Sequence, residues 1–133
     1  MTKWVWALLT FFIACLQANA ATSRDLAKTT TSWDGQPLPS YNLKQPEITI
    51  KKIIIAPGEK LPLHQHPVIN TGILLTGELT VHTKDKSVTI KAGDTLVEVM
   101  NTSHYGENNG SEPAKIIVFY FAEKGTKVTV LDH

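Results

Sequence analysis

From Glu47 onward the chain is a succession of short β-branched segments, each stopped by a Gly, Pro or Asn turn, and this pattern constrains the fold most. Glu47 to Ala56 holds Ile48, Ile50 and Ile53-Ile54-Ile55, and Pro57-Gly58 closes it. Leu61 to His66 reads as a short strand, Ile73-Leu74-Leu75 as a buried one, and Thr76-Gly77 as a turn. Leu79 and Val81 alternate with Thr80 and His82, and Val88 and Ile90 with Ser87, Thr89 and Lys91. Lys84-Asp85-Lys86 forms the polar hairpin tip between them. Ala92-Gly93-Asp94 is a further turn, followed by a strand over Thr95 to Val99. Asn108-Asn109-Gly110-Ser111 turns the chain again, because Asn and Gly tolerate positive φ. Ala114 to Phe121 is a long apolar strand, and Lys127 to Leu131 is the last. No segment keeps an apolar period near 3.6, so little or no helix is expected. Many short strands at regular spacing predict an all-β sandwich or barrel.

At 133 residues the chain suits a single domain. Residues 1–20 have the layout of a secretory signal peptide: Lys3, an uncharged apolar run from Trp4 to Leu16, then Ala18-Asn19-Ala20 at the cleavage positions. The run is short for a membrane span, which needs roughly 18 or more apolar residues. The alternative is an uncleaved N-terminal anchor. Export places the protein in the periplasm or outside the cell. Cys15 is the only cysteine and lies inside this segment, so a processed chain forms no disulfide. Lipid modification at Cys15 is a second alternative, although Phe12-Ile13-Ala14 matches poorly what usually precedes such a site. Without Lys3 the formal net charge of +1 falls to zero, leaving no basic stripe for nucleic acid.

Residues 21–45 read as a flexible leader and an extended arm. Ala21 to Ser32 is rich in Thr, Ser and Ala, and Ser32 to Pro46 sets Trp33 and Tyr41 among prolines. Both aromatics are expected to pack on the domain or on a second subunit. Residues 46–133 then form the barrel domain.

The chemistry-bearing feature is a histidine pair. His64 and His66 are two residues apart, so on a strand their imidazoles share one face. His104, delivered from another strand, would complete a three-nitrogen metal site. Neutral imidazoles suit zinc, copper, iron or nickel and leave coordination positions open.

These residues carry a resemblance to the cupin superfamily, in its small single-domain form. The first cupin motif, G-x5-H-x-H-x3,4-E-x6-G, is matched by Gly58, His64, His66 and Gly77. The second, G-x5-P-x-G-x2-H-x3-N, is matched by Gly93, His104 and Asn108. The resemblance runs from about Ile48 to Val130 and implies a double-stranded β-helix, or jelly-roll barrel. It implies a divalent metal (Fe, Mn, Ni or Zn) on His64, His66 and His104. Three positions depart from the motifs: Asn70 stands where the family has glutamate, Val99 where it has proline, and Asn101 where it has the middle glycine. Val suits a strand, and Asn readily accepts a left-handed backbone. Asn70 removes a negative charge and offers at most a weak amide oxygen, as ligand or as hydrogen-bonder to one. The site then resembles the three-histidine cupins, which include iron-dependent dioxygenases of small substrates.

The implied function is a metal-dependent, dioxygenase-like oxidoreductase acting on a small polar substrate. The alternative is a non-catalytic cupin that binds a metal or small ligand. Glu98, on the strand leading to His104, is a candidate general base, and Tyr105 a candidate for the pocket mouth. Asn108 is read as a loop former, His82 as a surface residue, and Glu78 as a surface charge beside a turn. A homodimer is expected, by resemblance and because sheet edges need covering.

Overall fold

A computed structural model describes residues 21–132. The expected signal segment with Cys15, and His133, lie outside the described residues. Among the described residues nine strands follow in order: β1 Pro46–Ile55, β2 His64–Gln65, β3 Ile69–Thr76, β4 Glu78–His82 and β5 Ser87–Lys91. β6 Thr95–Val97, β7 Tyr105–Glu107, β8 Ala114–Glu123 and β9 Val130–Leu131 complete them. Among the described residues there is no helix, as the absence of a helical period requires.

The strands form a four-stranded sheet ordered β1-β8-β3-β6, a three-stranded sheet β5-β4-β7, and the short pair β2-β9. All pairings are antiparallel. An isolated bridge between His64 and His104 ties the short pair to the segment entering β7. β8 shows the alternation of a strand with one face inward: Ala114, Ile116, Val118, Tyr120 and Ala122 are buried. They join Leu74, Leu79, Val81 and Ile90 from the other strands in one apolar core.

Several segments differ from the sequence reading, each for a local reason. In Leu61 to His66 only His64–Gln65 is regular strand, because Pro62 has no N–H to give a ladder. Of Ile73-Leu74-Leu75, only Leu74 is fully buried, while Leu75 is 47% exposed because neighbours on a strand face opposite ways. The strand expected to reach Val99 stops at Val97, where the Val99 N–H bonds the Glu98 side chain instead of a neighbouring strand. β7 carries Gly106 at its centre and so lacked the β-branched signature of a strand. Asn101 adopts φ 48°, the left-handed conformation expected at the missing glycine.

The N-terminal arm docks rather than floats. Residues 21–30 are exposed, but Ser32 is buried, and the Trp33 N–H bonds Val97 O on the open edge of β6 at 2.9 Å. Trp33 packs against the core, and the Tyr41 hydroxyl donates to Phe121 O.

Candidate metal centre

The site is assembled by backbone pairing. His64 N–H donates to His104 O at 3.0 Å, and His104 N–H returns the bond to His64 O at 2.9 Å. That exchange sets the two side chains beside each other, and His66 follows on the same face as His64. The ring centroids lie 4.4 Å apart for His64 and His104, 4.8 Å for His64 and His66, and 4.9 Å for His66 and His104. One donor atom from each ring lies within 4.8 Å of the other two. The sequence-derived convergence of the three rings is therefore present.

Each ring is also oriented. His64 Nδ1 donates to Pro62 O, His66 Nδ1 to Val128 O and His104 Nδ1 to Thr102 O, each at 2.8 Å. A carbonyl only accepts, so each Nδ1 carries the proton and each Nε2 keeps its lone pair. His104 Nε2 is fully buried and has no hydrogen-bond partner among the described residues. A buried lone pair without a partner is costly, and a cation satisfies it. Burial lowers the His64 pKa and brings that of His66 down to about 4, keeping the lone pairs free of protons near neutral pH. The residues present thus fit a divalent metal.

The rings form one wall of a cavity of about 350 Å³. Its other walls are largely apolar, including Ile53, Ile55, Leu79, Val81, Ile116 and Val118. Asn70, 3% exposed, lines this cavity, and its Nδ2 has no partner among the described residues. Glu98, 8% exposed, lines it too, with Oε2 at 3.9 Å from His104 Nε2. Tyr105 corrects the sequence reading. It follows the inward His104, so alternation turns it to the outer face, where it stacks on His82 with centroids 4.8 Å apart. His82 is held on that face by Glu107 at 2.7 Å.

Asn108 is the loop former that was expected, and it is fully buried. Its Nδ2 donates to Ile55 O at 3.0 Å and Glu112 O at 2.7 Å, and its Oδ1 accepts from Gly110 N–H at 2.9 Å. Lys51 and Tyr120 were missed. Lys51 shares the cavity-facing side of β1 with Ile53 and Ile55, so strand alternation alone could have found it. Tyr120 lies with its ring centroid 5.5 Å from that of His66.

The cupin domain family matches residues 51–120, more than half of the chain. This protein belongs to the cupin family. The cupin is 30% identical over 113 residues to germin-like protein 5-1 of Oryza sativa subsp. japonica, covering 80% of this chain and 50% of that one. It is equally 30% identical over 113 residues to the rhicadhesin receptor of Pisum sativum, with 80% and 51% covered. The cupin spans about half the length of the curated relatives it matches. Among solved structures, oxalate oxidase in complex with the substrate analogue glycolate is similar with a TM-score of 0.53 and 27% identity, over 63% of this chain and 45% of that one. DMSP lyase DddQ from Ruegeria pomeroyi shares the fold, with a TM-score of 0.56 and 20% identity over 73% and 46% of the two chains.

Proposed function

We propose that this cupin is an exported, metal-dependent oxidoreductase of dioxygenase-like type, acting on a small polar substrate at a divalent ion held by His64, His66 and His104. The carrying observation is three Nε2 lone pairs converging in the wall of a cavity that also presents Asn70 and Glu98. When bound, the ion supplies Lewis acidity and, if redox-active, a path for electrons. The chain's own residues bind and orient. The unpartnered Asn70 Nδ2 donates to a substrate oxygen, Lys51 draws an anionic end toward the cavity, and the apolar walls hold water away. Similarity to oxalate oxidase supports small carboxylates as a substrate class to test first.

The second reading is a binding cupin without turnover, and the apolar character of the cavity walls favours it. Oxygen uptake separates the two. The full chain, loaded in turn with Fe(II), Mn(II), Ni(II) and Zn(II), is offered small carboxylates, diketones, catechols and thiols. Turnover above that of His104→Ala supports the enzyme. Ligand binding with no turnover above that variant supports the binding cupin.

We also propose a homodimer, built on the outer face of the four-stranded sheet. Ile48, Ile50 and Ile54 are 54%, 60% and 56% exposed. Ile48 lies across from Phe121 and Ile50 across from Phe119, and Phe121 in turn lies across from Ile69. An apolar row continuing over three strands is unusual on a surface that meets only water, and a second copy of the chain would cover it. Residence in the periplasm or outside the cell is tested by fractionating the native host.

A further inference from the structure

Glu98 is gripped at one oxygen and free to act at the other. Its Oε1 accepts from Trp33 Nε1 at 2.8 Å and from the Val99 N–H at 2.9 Å. Its Oε2 turns toward His104 Nε2, 3.9 Å away. Because His104 Nδ1 donates to Thr102 O, the neutral ring presents a lone pair to that oxygen. Were the ring protonated instead, 3.9 Å is too long for a hydrogen bond. Two electron-rich atoms therefore face each other in a buried setting. The gap is shorter than two metal–ligand bonds of about 2.1 Å laid end to end, so a cation bonded to both atoms fits within it.

Glu98 also sits beside the departure at Asn70. The Glu98 N–H bonds Asn70 O at 3.1 Å, so Glu98, just past the end of β6, sits beside Asn70 of β3, and both face the cavity. We propose that Glu98 supplies the carboxylate ligand missing at position 70, moved one strand sideways, and that Trp33 of the N-terminal arm is the residue that positions it. This rests on the reading that His64, His66 and His104 hold the ion. Its consequence is a site of three imidazoles and one carboxylate, with a net charge of +1 for a divalent ion rather than +2. The arm becomes part of the metal centre, since the indole N–H directs which carboxylate oxygen faces the ion.

Cobalt(II) provides the test, because its visible absorption reports its ligand set as well as its affinity. The full chain, stripped by chelation, is titrated with Co(II) as wild type, His66→Ala, Glu98→Gln, Trp33→Phe and the Glu98→Gln/Trp33→Phe double variant. Thermal unfolding of each stripped protein verifies the fold. Glu98→Asp, which keeps the charge but withdraws the oxygen by a methylene, replaces Glu98→Gln if that variant fails to fold. The expected result is binding by wild type, loss in His66→Ala, and at least about 10-fold weaker binding with an altered spectrum in Glu98→Gln. Trp33→Phe weakens binding in the same direction, and adds nothing once Glu98 is replaced. Wild-type affinity and spectrum in Glu98→Gln, with His66→Ala still defective, overturn this proposal and leave the three-histidine site standing. No binding by wild type overturns both.

Discussion

Single residues at this centre do their work through what they fix in others. The three Nδ1 protons are committed to Pro62, Val128 and Thr102 carbonyls, so the donor set is selected before any ion arrives. The cost falls on His66, which is kept neutral by burial. Its pKa is about 4 in the folded chain and about 6.5 when unfolded. As pH falls below about 6.5 the unfolded chain takes up a proton that the folded one refuses, so the metal-free protein loses stability down to about pH 4 and no further from this group. The loss is about 3 kcal/mol. Urea unfolding of stripped protein at about pH 7.5 and about pH 4.5 measures it, and His66→Gln is expected to flatten the difference. An equal pH dependence in both proteins would refute this. Asn108→Ala strands the Ile55 and Glu112 carbonyls, and is expected to cost about 1–3 kcal/mol in the same assay. At this scale the histidines and Asn108 were legible because local spacing marks them. The role of Trp33 was not: its partner Glu98 lies 65 residues away, and only the fold brings them together.

Elements set the centre's geometry by pairing. β2 has two residues, yet it is held on one side by the bridge to His104 and on the other by β9, with His64 opposite Leu131. The segment before β9 supplies the Val128 carbonyl that orients His66, while Thr129 and Leu131 line the cavity. A chain ending at Lys127 is therefore expected to fold, but to bind Co(II) about 10–100-fold more weakly than the full chain. Equal affinity in equilibrium titration would show the strap to be mere covering. Strands were read well where β-branched residues alternate, as in β4, β5 and β8. They were read poorly where pairing overrides composition. β7 forms despite Gly106 because β4 offers it a partner strand, with Val81 opposite Gly106.

For the whole molecule, the question is what covers the outer face of the large sheet. The sequence showed β1 to be rich in isoleucine on both faces, and a run apolar on both sides reads as a strand buried on both sides. In the folded chain one side meets the core and the other is open, with Ile50 60% exposed. Ile50→Lys is expected to turn a dimer into a monomer, measured by light scattering after size exclusion, with unfolding cooperativity retained. A wild-type monomer at tens of micromolar would remove the proposed interface. The all-β class was legible from turn spacing alone, whereas this open face required knowing which strands are neighbours.

Elemental analysis of the full chain purified from its native host, beside His104→Ala prepared identically, tests the central claim most directly. Three imidazole donor atoms within 4.8 Å of one another predict close to one divalent first-row ion per wild-type chain and almost none in the variant. Wild-type protein without metal, or the same metal content in both proteins, would contradict the account.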